Sequence, residues 1–83
     1  MDYFVYILRS QSDSNQIYIG YTADIERRMS EHLNPPMNAY TRKHSPWQLE
    51  TYVVFNKQSL ALNFEKYLKD HSGRAFLIKR LIS

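Results

Sequence analysis

The chain contains no cysteine among its 83 residues. Disulfides and thiolate metal sites are therefore excluded, and the cytoplasm is the expected location. The first ten residues, MDYFVYILRS, carry no basic segment ahead of the apolar run, so they lack the form of a signal peptide. No stretch approaches the roughly 20 consecutive apolar residues that a bilayer span requires, and we expect no membrane partner.

The apolar content is sufficient for a folded core. Hydrophobic residues make up 43% of the chain and aromatic residues 14%, which suits a single domain over residues 1–83 and excludes a disordered tail. The formal net charge is +3, a mild excess in the direction expected for a polyanionic partner. Many small soluble domains carry the same charge without such a partner, so charge alone does not decide the matter.

The apolar periodicity predicts an α+β fold with the element order β-β-α-β-α-α. Residues 2–9 are apolar on both alternations, which is typical of a strand buried on both faces. Residues 10–16 have the composition of a hairpin loop. Two further strands are predicted over residues 16–21 and 49–55. The first predicted helix runs from a cap at Thr22 or Asp24 to about Leu33, and the second from a cap at Asn56 to near His71. A break at Ser72-Gly73 precedes a last helix over residues 74–82. We expect a three-stranded, mainly antiparallel sheet flanked by helices.

Two charged side chains of the first predicted helix need an explanation. Its apolar stripe consists of Ile25, Met29 and Leu33. At 100° per residue, Arg27 faces solvent, whereas Arg28 and His32 flank the stripe. One interpretation is that Arg28 packs its stem along the core edge while His32 bonds a loop carbonyl. The other is that the two residues belong to a site for phosphodiester chemistry, in which the arginine meets phosphate.

A carboxylate on the long predicted helix is similarly placed. Glu65 falls at the border of the apolar stripe, whereas Lys66, Lys69 and Asp70 point away from it. A carboxylate at the edge of a buried surface needs a cation, hydrogen-bond donors or a metal. The sequence leaves two alternatives open: an ion pair with Arg28, or a site for Mg²⁺ that keeps mostly water ligands.

Taken together, these motifs resemble the GIY-YIG endonuclease superfamily, in the form of its small stand-alone bacterial-type members. The first motif strand corresponds to residues 4–8, and the second to Tyr18-Ile19-Gly20. The family also has a helix with an Arg and, one turn later, a His, and these match Arg28 and His32. Its metal-binding Glu lies in a helix with an Ala-Leu-x-x-Glu-like motif, which matches residues 61–65 and therefore Glu65. The resemblance covers nearly the whole chain.

This resemblance implies hydrolysis of DNA phosphodiesters with one divalent ion, Mg²⁺ or Mn²⁺. Glu65 would anchor the ion, and Arg28 would stabilise negative charge on the scissile phosphate. Tyr6 and Tyr18 would line the site, and one of them would deprotonate or orient the attacking water. His32 would orient a tyrosine or relay a proton. Gly20 would allow a close approach of the substrate or of a neighbouring strand.

The sequence also departs from the family pattern. Phe4 stands where the motif has Gly, and residues 69–74 lack the Asn with which several relatives support the site, a role that Ser72 could fill. With no second domain for sequence recognition, we expect cleavage to be structure-led or weakly sequence-specific.

Basic residues outside the motifs suggest where nucleic acid would lie. Arg42 and Lys43 follow Tyr40 in a loop, and Lys69 and Arg74 add charge towards the C-terminus. Such side chains give salt-sensitive phosphate contacts without base readout. The alternative for each is a solvated face.

Three functions therefore remain open at this point. The first is a DNA endonuclease, favoured because all the site residue types are present. The second is a non-catalytic nucleic-acid-binding module that retains the nuclease fold, favoured by the missing Asn. The third is a protein-interaction domain, such as a homodimer that buries aromatic surface, although a monomer is expected.

Overall fold

The computed structural model describes residues 1–33, 43–44 and 46–82, with only the backbone of His32 and Leu33. In these ranges the elements are β1 (Tyr3–Ser10), β2 (Ile17–Thr22), α1 (Ile25–Leu33), β3 (Trp47–Phe55), α2 (Gln58–Leu68) and α3 (His71–Phe76), which continues into a π-helical segment (Leu77–Leu81). The predicted order β-β-α-β-α-α is confirmed. Within the same ranges, no helix has the length and apolar character needed to cross a membrane.

The sheet has the strand order β2-β1-β3, and both strand pairs are antiparallel. Central β1 is covered on both faces, so the four residues from Val5 to Leu8 are at most 1% exposed. This confirms the prediction of a doubly buried first strand. β2 lies at one edge of the sheet, and this edge carries the candidate site.

Helices cover both faces of the sheet. One face packs Val5, Ile7 and Ile19 against Ala61 of α2, Leu68 of α2 and Leu77 of the π-helical segment. The opposite face packs Tyr6, Leu8 and Trp47 against Ile25 and Met29 of α1. Because α1 and α2 lie on opposite sides of the sheet, side chains from both helices can meet only around its edge.

Of the two alternative capping residues predicted for α1, Asp24 is the one that caps it, and Thr22 supports the turn before it. The Asp24 carboxylate accepts the backbone N–H of Arg27 at 3.1 Å, as an N-cap side chain does. The Thr22 hydroxyl accepts the backbone N–H of Asp24 at 3.0 Å and donates to its carbonyl. These bonds fix the turn from β2 into α1, and therefore the direction of the helix that carries Arg28.

The boundaries of the second helix differ from the prediction. Lys57, not Asn56, occupies the N-cap position of α2, and it makes no side-chain capping bond. The helix ends at Leu68 and not near His71. It ends early because Asp70 adopts an extended conformation and its carboxylate accepts the N–H of His71, which starts α3.

The predicted helix break at Ser72-Gly73 is wrong, because Gly73 lies inside α3. A Cβ atom at this position would overlap the backbone carbonyl of Tyr67 near the end of α2. Gly73 therefore permits close packing of α3 against the end of α2. This packing brings Arg74 to the edge of the sheet near β2.

Candidate active site

A cleft of about 510 Å³ opens along β2. Seven of its lining residues were predicted site residues: Tyr6, Tyr18, Gly20, Arg28, Glu65, Lys69 and Arg74. The remaining lining residues are Ile17, Ile19 and Tyr21. The cleft therefore combines side chains from β1, β2 and α1 with side chains from α2, its C-cap and α3, although α1 and α2 lie on opposite faces of the sheet.

Tyr6 reaches the cleft by passing over Gly20. The two residues are direct partners in the β1–β2 ladder. A Cβ atom on Gly20 would overlap the phenol end of the Tyr6 ring. Gly20 on the edge strand thus leaves room for the Tyr6 side chain of the central strand. A larger residue at position 20 would block the Tyr6 hydroxyl from the cleft.

Tyr6 and Tyr18 form a pair. Their ring centroids are 6.2 Å apart with an angle of 26° between the planes, and their side chains are hydrogen-bonded. Burial raises the pKa of Tyr6 well above its ordinary value, and the neighbouring Tyr18 raises this pKa further through charge repulsion and the hydrogen bond, while Arg28 acts to lower it. The Tyr6 hydroxyl is therefore protonated at neutral pH.

The two arginines of α1 have different surroundings. Arg28 lines the cleft with a side chain that is 43% exposed, whereas the Arg27 side chain is 77% exposed. Both contact Glu31, Arg27 through Nε at 3.4 Å and Arg28 through Nη1 at 3.5 Å. The predicted helical positions of the two arginines are those observed. The contact with Glu31 was not predicted, although its spacings of three and four residues are those of helical neighbours.

Glu65 reaches the cleft from α2 with a side chain that is only 21% exposed. The Lys69 ammonium lies 3.1 Å from its Oε2 atom. The expectation that Lys69 points away is wrong, because residues four apart lie on the same helix face and a long side chain spans the difference. The ion pair considered between Glu65 and Arg28 is replaced by two separate pairs, Glu65–Lys69 and Arg28–Glu31.

Only some of the other predicted site residues line the cleft. Arg74 of α3 lines the cleft, whereas Lys43 is exposed and is not a lining residue. Arg42 and the side chain of His32 lie outside the described residues. Tyr21 was not predicted as a lining residue, and its hydroxyl accepts a hydrogen bond from the Gln58 amide at 3.0 Å. The sequence feature that could have identified Tyr21 as a lining residue is its position directly after the Tyr-Ile-Gly motif.

The donor set of the cleft suits a hard divalent cation. Among the residues that the structure describes, no three His, Cys, Asp or Glu side chains converge into a metal cage. Mg²⁺ is commonly held by one or two carboxylates, with water and substrate phosphate in the other positions. A single carboxylate that borders an open cleft beside an arginine matches this pattern, so Glu65 fits such an ion.

Comparison with known proteins agrees with this geometry. Residues 2–79 match the GIY-YIG catalytic domain. The chain therefore belongs to the GIY-YIG nuclease family, as the motifs predicted. Its relatives include a UPF0213 protein of Haloquadratum walsbyi, which is 37% identical over 70 residues that cover 84% of this chain and 76% of the relative.

Two further matches extend the comparison. The structure-specific endonuclease subunit SLX1 of Malassezia globosa is 41% identical over 76 residues, which cover 87% of this chain but only 17% of that longer protein. The solution NMR structure of a UPF0213 protein from Bacillus halodurans is 30% identical, with a TM-score of 0.57 over 94% of this chain and 83% of that one.

Proposed function

We propose that this protein is a divalent-cation-dependent endonuclease that hydrolyses DNA phosphodiester bonds. The observation that carries the proposal is the single cleft in which Tyr6, Tyr18, Arg28 and Glu65 meet. Folding alone does not require four elements to direct polar groups to one edge of a sheet. We further propose that the enzyme acts as a single-domain monomer in the cytoplasm.

Arg28 is the phosphate-binding group in this proposal. Its guanidinium presents a planar set of donors that can make two hydrogen bonds to one phosphate. Its contact with Glu31 is long, at 3.5 Å, and the side chain is 43% exposed. The guanidinium can therefore turn towards a bound phosphate and stabilise the charge that develops during hydrolysis.

Glu65 is the proposed cation ligand. When bound, Mg²⁺ or Mn²⁺ would polarise the phosphate and help to generate a nucleophilic water. The chain's own contribution is a carboxylate fixed on a helix whose neighbouring turns are anchored by Ala61 and Leu68, which are both 0% exposed. Because these two buried residues hold the helix against the sheet, the Glu65 carboxylate borders the cleft and the helix does not have to rotate to place it there.

The two tyrosines have different roles in the proposal. Tyr6 is almost fully buried and is hydrogen-bonded to Tyr18, so in this proposal it positions Tyr18. Tyr18 is half-buried in the cleft wall, and its hydroxyl orients the attacking water. The sequence left open which of the two tyrosines deprotonates or orients the attacking water, and we propose Tyr18.

The basic residues supply contacts to the DNA backbone. Lys69 and Arg74 border the cleft, and we propose that they bind phosphates on either side of the scissile bond. Arg42 and Lys43 would extend this contact surface, and His32 would orient a tyrosine or relay a proton. None of these contacts reads a base edge, so cleavage would follow DNA structure more than DNA sequence.

The test is a cleavage assay on flap, fork, junction, nicked, duplex and single-stranded DNA with Mg²⁺ or Mn²⁺. Wild type is expected to cut at least one branched or nicked DNA, and chelation of the ion is expected to abolish cutting. The Glu65→Gln variant, which keeps the size of the side chain, should bind the same DNA without cutting it. A wild-type protein that leaves every DNA uncut with either ion would contradict the proposal.

A non-catalytic DNA-binding module is a second candidate, and one observation favours it. The Glu65 carboxylate is already paired with Lys69 at 3.1 Å, so a cation would have to displace an ammonium group. If the chain is only a binder, the affinity for DNA will fall with salt, no DNA will be cut, and Glu65→Gln will bind DNA as wild type does.

A further inference from the structure

The carboxylate proposed to hold the cation has a positively charged partner at the C-cap of its own helix. Lys69 Nζ lies 3.1 Å from Glu65 Oε2. The two side chains differ in exposure, with 54% of Lys69 and 21% of Glu65 accessible to solvent. The more exposed ammonium thus contacts the less exposed carboxylate, and both residues border the same cleft.

An ammonium and a divalent cation compete for this carboxylate. A Mg²⁺ ion binds a carboxylate oxygen at about 2.0–2.1 Å, and it would repel a positive charge that remains within contact distance of the same group. Partly exposed pairs at i, i+4 spacing are weak and their side chains are mobile. Lys69 can therefore leave Glu65 when a cation arrives.

A displaced Lys69 has an alternative partner in the substrate. It shares the cleft with Arg28 and Arg74, so a phosphate bound there lies within reach of its ammonium group. If a cation were bound at Glu65, Lys69 would be free to pair with the phosphate, and a bound phosphate would likewise draw Lys69 away from Glu65. Each event thus favours the other, and linkage requires the same factor in both directions.

We infer that Lys69 is a tethered counter-ion that couples cation binding at Glu65 to binding of the DNA backbone. The inference rests on the proposed function, because it assigns a cation to Glu65 and a phosphate to the cleft. It adds that free protein binds the cation weakly and that DNA strengthens this binding.

The first test measures Mn²⁺ binding to free protein from the loss of the free-ion electron paramagnetic resonance signal. Lys69→Met is expected to bind Mn²⁺ about two- to fivefold more tightly than wild type, as expected from the strength of such ion pairs. The matched control is Lys66→Met, which makes the same change of charge on the same helix at an exposed residue outside the cleft lining. Its affinity should stay close to that of wild type, and Glu65→Gln should lose the site.

The second test measures coupling with a phosphorothioate DNA duplex that resists cleavage. Fluorescence anisotropy gives the factor by which Mn²⁺ tightens DNA binding, and this factor should be about two- to fivefold smaller in Lys69→Met than in wild type or Lys66→Met. If Lys69→Met binds Mn²⁺ no more tightly than wild type, or keeps the full coupling factor, the inference is overturned even when wild type cuts DNA. If both measurements give the expected differences for Lys69→Met but wild type cuts no DNA, the inference stands and the proposed nuclease activity fails.

Discussion

The phenol end of Tyr6 lies directly against Gly20, its partner across the β1–β2 ladder. This contact explains how a residue of the central strand contributes to a cleft at the edge of the sheet. The ring passes over the edge strand at the one position of the Tyr-Ile-Gly motif that has no side chain. The glycine therefore matters because of the space that it leaves for the tyrosine.

A double-mutant cycle tests this relationship. Gly20→Ala is expected to lower the free energy of unfolding by about 1–3 kcal/mol, because the added methyl group overlaps Tyr6. In a Tyr6→Val background the same change should cost little, since the space is then open and alanine suits a strand better than glycine. Urea unfolding measures both values. An equal cost of Gly20→Ala in the two backgrounds would contradict the proposed contact.

The raised pKa of Tyr6 predicts a loss of stability in alkali. Unfolded Tyr6 releases its proton near pH 10, whereas folded Tyr6 retains it because burial raises its pKa. Above pH 10 the unfolded state therefore binds fewer protons at Tyr6 than the folded state does, so the contribution of Tyr6 to stability is fully present below about pH 10 and falls as the pH rises further.

The Tyr6→Phe variant should show a smaller loss of unfolding free energy between pH 9 and pH 11.5 than wild type. Absorbance at 295 nm should reveal a late-ionising tyrosine in wild type that is missing from the variant. Tyr52→Phe is a suitable control, because Tyr52 is 45% exposed. A Tyr6→Phe protein with the same late-ionising tyrosine would show that another residue is responsible.

Gly73 is expected to be as sensitive as Gly20, for a different reason. A Cβ atom there would overlap the backbone carbonyl of Tyr67, and backbone cannot move aside as a flexible side chain can. Gly73→Ala should therefore lower the free energy of unfolding by about 1–3 kcal/mol or more. Ser72→Ala, at the exposed neighbouring position, should change it by about 0.5 kcal/mol or less.

The salt dependence of DNA binding tests the assignment of Arg74 to the phosphate surface. Each phosphate contact contributes about 0.7–0.9 to the slope of log affinity against log salt concentration. Arg74→Ala should reduce the slope by about this amount and should weaken binding equally for DNAs of different sequence. Arg80→Ala removes an exposed charge outside the cleft lining and should leave the slope unchanged, whereas equal effects of the two substitutions would count against the assignment.

The sequence predicted the parts of this molecule that depend on local periodicity. The doubly apolar pattern of β1 identified a central strand, and the angular positions on α1 distinguished Arg28 from Arg27. Both follow from the geometry of a single strand or helix. The Tyr-Ile-Gly motif and its spacing to Arg28 were sufficient for the family, which the domain match confirms.

The errors in the sequence prediction arose where two elements meet. The end of α2 depends on Asp70, whose carboxylate caps α3, and a helical pattern does not show which residue will act as a cap. The position of Gly73 inside α3 depends on contact with Tyr67, which is a tertiary feature. Lys69 was assigned to the outer face because the angular argument did not include the reach of its side chain.

The most direct measurement compares Arg28→Ala with Arg27→Ala in cleavage and DNA binding under the same conditions. The pair is well matched, since both arginines lie on α1 and both contact Glu31, while only Arg28 lines the cleft. Arg28→Ala should lower the single-turnover cleavage rate about 10²- to 10³-fold while the protein still binds DNA, as expected for loss of a group that stabilises the transition state. Arg27→Ala should cut at nearly the wild-type rate. Equal rates for the two variants would contradict the claim that this cleft is the active site.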